Sequence, residues 1–142
     1  MIDITEKKII SRKAIASGKI FLKKETVAKI KKRQIKKGDT LETARITGIN
    51  AVKQTQFLIP YCHQIAIDFA DFEFNFGGNF IQAVCTAKTK AKTGLEMEAL
   101  VGVSICLSTI WDMVKYLEKD RTGQYPTTRI TDIKVIKKVK DG

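Results

Sequence analysis

Apolar positions along the chain change period several times, and each change marks an element. "GKIFLK" (18–23) predicts a short strand after a turn at Ser17-Gly18. "ETVAKIKKRQI" (25–35) has helical spacing, with Val27 and Ile30 on one side and Lys24, Lys31 and Lys32 in solvent. "KKGD" breaks it. Asp39 and Glu42 stand as a capping box, so a second helix begins at Thr40. It carries Leu41, Ala44, Ile49, Val52 and Phe57 near helical spacing and stops before Pro60.

The period then shortens to two. Ile65, Ile67 and Phe69 alternate on odd positions, then Phe72, Phe74 and Phe76 on even ones, which predicts a strand with a bulge near Ala70-Asp71. Gly77-Gly78-Asn79 is a turn and "FIQAVCTAKT" (80–89) a return strand, together a hairpin. From Leu95 to about Lys119 a long helix follows. Its middle, "ALVGVSICLSTIW", is apolar or small on almost every face, so burial against a sheet or another subunit is expected. "TRITDIKVIKKV" (128–139) reads as a final strand. The series β-α-α-β-β-α-β predicts an α+β fold, a ferredoxin-like antiparallel sheet packed with helices, with one additional helix.

At 142 residues the chain suits a single domain, 1–142. No apolar run approaches the roughly 20 residues of a membrane span, and "MIDITEKKII" has no signal-peptide pattern. A cytoplasmic protein with no membrane partner is expected. Cys62, Cys85 and Cys106 are odd in number and widely spaced, as free thiols are. With His63 the only histidine and no Cys-x-x-Cys, no metal site of standard spacing is expected.

Charge changes the picture. The 26 Lys and Arg against 15 Asp and Glu give +11, which suits either an anionic partner or a lysine-coated soluble surface. Four stretches carry candidate chemistry. Lys37 in "KKGD" precedes a helix N-terminus, where amides and the dipole attract phosphate; solvated lysines at a helix entry are the plain alternative. Glu96 and Glu98 open the long helix. They are either ordinary first-turn acids that complement the helix dipole or, since residues two apart do not share a face, one points inward, where a buried carboxylate needs a cationic partner. Asp112 and Lys115 in "WDMVK" face the same way, either as a surface ion pair or as an acid/base pair with coupled pKa values. Tyr61, Cys62 and His63 lie on the loop after Pro60, where histidine can bind phosphate or move a proton; an ordinary hydrogen-bonded loop histidine is the plain alternative.

"KGDTLETARITGINAVKQTQFLIPYCHQI", then "KTGLEMEAL", then "IWDMVK", in this order, closely resemble the cyclic pyranopterin monophosphate synthase family, the MoaC family of molybdenum cofactor biosynthesis. The resemblance runs from "MIDIT" to about Lys138. It implies a lyase that rearranges 3′,8-cyclo-7,8-dihydro-GTP into cyclic pyranopterin monophosphate and releases diphosphate. It also implies a ferredoxin-like fold and a hexamer, a trimer of dimers with sites at subunit interfaces. No cofactor is implied beyond Mg²⁺ that could accompany the triphosphate.

By the same resemblance the catalytic aspartate falls on Asp112 and its companion lysine on Lys115. Substrate contacts fall on Tyr61, Cys62, His63, Met97, Glu98, Lys37 and Arg12. A last-strand lysine falls on Lys138, with Lys137 and Lys140 close by. The chain departs from the family pattern at Gln64, where Pro is common, and in "KKVKDG", where many members carry Gly-Gly-Lys-Ser-Gly. A nucleic-acid-binding module is the competing class. Asp68, Asp71 and Glu73 beside the phenylalanines of 69–76 argue against it, and no nucleic-acid partner is expected.

Overall fold

The computed structural model describes residues 1–142. Its elements are β1 (Ile10–Phe21), α1 (Lys24–Lys31), α2 (Thr40–Leu58), β2 (Phe69–Phe76), β3 (Phe80–Ala91), α3 (Glu96–Glu118) and β4 (Arg129–Asp141). The four strands form one antiparallel sheet in the order β2-β3-β1-β4. The fold is α+β, with α2 and α3 on one sheet face and α1 as the additional helix.

Strand β1 begins eight residues before the predicted start, at Ile10. Its core-facing residues include Ala14, Ala16 and Gly18, too small to give a strong apolar alternation. Their size is what α3 requires. A Cβ on Gly18 would lie 2.8 Å from Leu107 and 2.9 Å from Val103. Gly48 and Gly102 likewise let α2 and α3 approach, since a Cβ on Gly102 would sit 2.6 Å from Val52. A cluster of 22 buried residues, from Ala14 to Val114, joins the sheet to all three helices.

Other boundaries also moved. α1 ends at Lys31, and Arg33 turns the chain at φ 56° before Ile35 re-enters the core. Asp39 caps α2 by accepting the Glu42 N–H at 3.2 Å, but Glu42 turns to Arg45 instead of completing the box. Phe57 is exposed rather than core. β2 pairs with β3 in unbroken register, so the expected bulge at Ala70-Asp71 is absent. The phase change has a simpler cause: Ile65–Asp68 precede the strand, and within it Phe72 faces the core while Phe69, its first residue, is exposed.

Helix α3 is long and apolar enough by composition to cross a membrane, unlike the expectation from the sequence, but half of that stretch is buried within the fold. Its buried stripe runs through Val103, Leu107, Ile110 and Val114. The opposite stripe leaves Met97 and Ile105 exposed, and neighbouring α2 exposes Ile46, Phe57 and Leu58. Only one face of the helix is therefore covered by its own chain.

Candidate functional site

The polar candidates fall into two groups, one at each end of α3. At its N-terminal end a cavity of about 650 Å³ is lined by Tyr61, Cys62, His63, Met97 and Glu98, with Ile2 at its edge. Pro60 ends α2 and starts the loop that carries Tyr61-Cys62-His63 across to this point. The His63 Nε2–H donates to the Ile2 carbonyl at 2.7 Å, and Nδ1 makes no hydrogen bond within the chain.

Glu98 is the acid that points inward, 5 % exposed. The expected cation is missing: no ion pair reaches it, and burial, helped by the charge of Glu96, pushes its carboxyl above the usual range. The cation goes to Glu96 instead, which pairs with Lys138. Burial alone would raise Glu96, but the Lys138 bond, the helix amide and the charges of Lys138 and Arg12 together outweigh it, and the carboxyl lies low. Burial raises the Cys62 thiol, as does the charge of Glu98, so it is a neutral thiol and not a nucleophile at rest. Cys85 and Cys106 are buried free thiols in the core, Cys85 pushed up to about 12 by burial.

Arg12 is buried beside this cavity. Its Nε and one terminal nitrogen donate to the carbonyls of Ala91 and Lys92, each at 3.2 Å, which ties β1 to the end of β3. Lys138 and Lys140 stand opposite Ala14 and Arg12 in the sheet and so share the Arg12 face, whereas Lys137 stands opposite Ile15. A small recess is lined by Arg12, Glu96, Lys138 and Lys140. The Glu96–Lys138 pair was not foreseen. Its only sequence signal was a carboxylate at a helix start and a lysine-rich strand end.

At the C-terminal end, Asp112 sits between two lysines, 3.0 Å from Lys115 and 3.2 Å from Lys37. Lys37 also donates to the Asp112 carbonyl at 2.8 Å. Asp112 is 59 % exposed, so the pair is open to solvent. Hydrogen bonds from Lys115 and then Lys37 hold the Asp112 carboxyl below its ordinary value; the same carboxylate raises Lys115. Asp112 is thus ionised and Lys115 charged at neutral pH.

Fourteen residues separate Glu98 from Asp112 along α3, about 21 Å of rise. Within one chain the two groups do not meet. No three His, Cys, Asp or Glu side chains converge as a metal-binding group. On the sheet face away from the helices, the paired Phe21 and Phe80 of the two central strands lie under Arg129 and Lys19, at 4.0 and 4.8 Å. These aromatics among cations were missed in sequence. The cations occupy the ring faces on which a base would stack.

On this four-stranded α+β frame, lysines flank carboxylates at both ends of α3, and such positive charge suits small anionic molecules. The chain belongs to the MoaC family, which it matches over residues 1–141. It is 52 % identical over 140 residues to a Thermococcus kodakarensis protein, covering 99 % of this chain and 90 % of that one. Identity to relatives from Pyrococcus abyssi and Thermoplasma volcanium is 51 % and 50 % over 140 residues, covering 99 % of this chain and 88 % and 93 % of theirs. All three are named probable cyclic pyranopterin monophosphate synthase.

Proposed function

We propose that the protein is a lyase of molybdenum cofactor biosynthesis that converts 3′,8-cyclo-7,8-dihydro-GTP into cyclic pyranopterin monophosphate and diphosphate. The observation that carries this is the family match over nearly the whole chain, with relatives at about half identity sharing that name. The chemistry suits the charges. A triphosphate needs cations, and diphosphate departure is eased by positive charge around it. In this proposal Lys37, Arg12, Lys138 and His63 bind phosphates, while Tyr61, Cys62, Met97 and Glu98 contact the ring system. Asp112 accepts protons and Lys115 donates them as the purine-derived ring opens and the pterin closes. The chain supplies these groups without a resident cofactor; any Mg²⁺ travels with the triphosphate.

The proposed working form is a cytoplasmic homo-oligomer, a hexamer built from dimers, with each site shared by two chains. The 21 Å gap along α3 supports sharing. So does the exposed stripe of Met97 and Ile105, because Ser104–Ile105 lies midway between Met97 and Asp112. Two copies packed antiparallel about that point bring the Met97 end of one beside the Asp112 end of the other, a two-fold arrangement.

Single-turnover conversion of the cyclised GTP derivative tests the activity. Wild type forms both products and Asp112→Ala forms neither. A folded wild type that leaves the substrate unchanged removes the proposal.

A further inference from the structure

Lys37 stands on the loop between α1 and α2, a segment with two left-handed residues, Arg33 at φ 56° and Gly38 at φ 124°. Such a loop has no regular hydrogen-bond ladder to hold it, and Lys36 and Lys37 are exposed. Its backbone bonds are local, Gln34 N–H to the Lys29 carbonyl at the end of α1 and Gly38 N–H to the Ile35 carbonyl. One backbone bond reaches outside. The Lys36 N–H donates to the Tyr116 hydroxyl at 2.9 Å, and the Lys36 ammonium lies 5.9 Å from the centre of the Tyr116 ring. Tyr116 follows Asp112 by four residues, so it stands one turn along the same face of α3. The hydroxyl therefore grips the loop one residue before the lysine whose Nζ meets Asp112 at 3.2 Å.

We infer that Tyr116 is a positioning residue, which holds the Lys36-Lys37 backbone so that the Lys37 ammonium stays at Asp112, and that it thereby sets substrate binding. The inference rests on the proposed function for its kinetic consequence but not for the contact itself. A lysine on an untethered loop samples many positions, and each binding event must then order it again. Tyr116→Phe keeps the ring and removes the acceptor. The freed Lys36 N–H is near the surface and turns to water, so folding is little affected.

The test has two arms. In turnover, Tyr116→Phe raises KM about three- to tenfold with kcat within twofold, the size of one lost hydrogen bond. In a Lys37→Ala background the same change adds less than about 1.5-fold, because the two groups act as one unit. An equal factor in both backgrounds, or none in the wild-type background, overturns the inference.

The second arm needs no activity. Acylation of Lys37 by a small amine-reactive ester, read by peptide mass spectrometry against Lys53 in the same chain, runs several-fold faster in Tyr116→Phe once the ammonium leaves Asp112. If wild type fails to convert the substrate, this arm alone decides. Faster acylation then upholds the positioning role while the proposed function falls, and an unchanged rate ends the inference.

Discussion

The two ends of α3 carry carboxylates of opposite character. At the N-terminal end Glu98 is buried beside a cavity and takes part in no ion pair, and burial raises its proton affinity. At the C-terminal end Asp112 is open to solvent between Lys115 and Lys37, and they lower it. One helix thus presents a carboxyl whose proton affinity is raised and a carboxylate whose proton affinity is lowered, about 21 Å apart. Acid/base work benefits from groups whose environments push them apart. Here the separation in chemistry is matched by a separation in space, which a second copy would close.

The comparison breaks first at Asp112. Asp112→Asn keeps the shape and removes the base, so turnover falls at least about a hundredfold. Its ion pairs are exposed, and the thermal midpoint stays within a degree or so of wild type. Turnover without the carboxylate would remove Asp112 from the chemistry. Glu118, on the buried side of the same end, behaves in reverse. Its carboxylate accepts from the Lys23 N–H, from Thr26 and from Thr128, joining the starts of α1 and β4 to α3. Glu118→Ala strands those buried donors and costs about 3 kcal/mol by denaturant titration. A loss too small to measure would contradict that account.

Glu98 gives a smaller effect with a defined sign. Its folded-state value lies above the ordinary 4.5, so in the pH range between the two the folded chain binds more proton than the unfolded chain. Its contribution is most favourable below pH 4.5, declines as pH rises toward the folded value, and is level beyond it. Thermal midpoints of Glu98→Gln and wild type therefore diverge above pH 4.5 in favour of the variant. Parallel curves would mean that Glu98 is solvated or paired.

Sequence patterning exposed these ends unequally. Asp112 and Lys115 were legible as a same-face pair because i, i+3 spacing is local, but the approach of Lys37 from 75 residues away was not. That one of Glu96 and Glu98 turns inward followed from helical geometry, but which one did not. The assignment of a cation to the inward acid failed because the choice between Glu96 and Glu98 depends on where β4 lays Lys138. Strand β1 was half missed for a related reason. Ala14, Ala16 and Gly18 are small because α3 lies over them, and small residues make a weak alternating signal. Ile65 and Ile67 misled the start of β2, since apolar alternation also occurs in a loop that leans on the core, as Ile67 does.

The central claim is that one working site takes its two halves from two chains, and subunit mixing tests it most directly. Asp112→Ala and His63→Ala, each inactive alone, are unfolded together in equal amounts, refolded and assayed for conversion of the cyclised GTP derivative. Random pairing makes half the dimers mixed, each with one intact site of two. The account predicts recovery of about 25 % of wild-type activity. No recovery from a mixture shown to contain mixed dimers would place both halves of the site in a single chain.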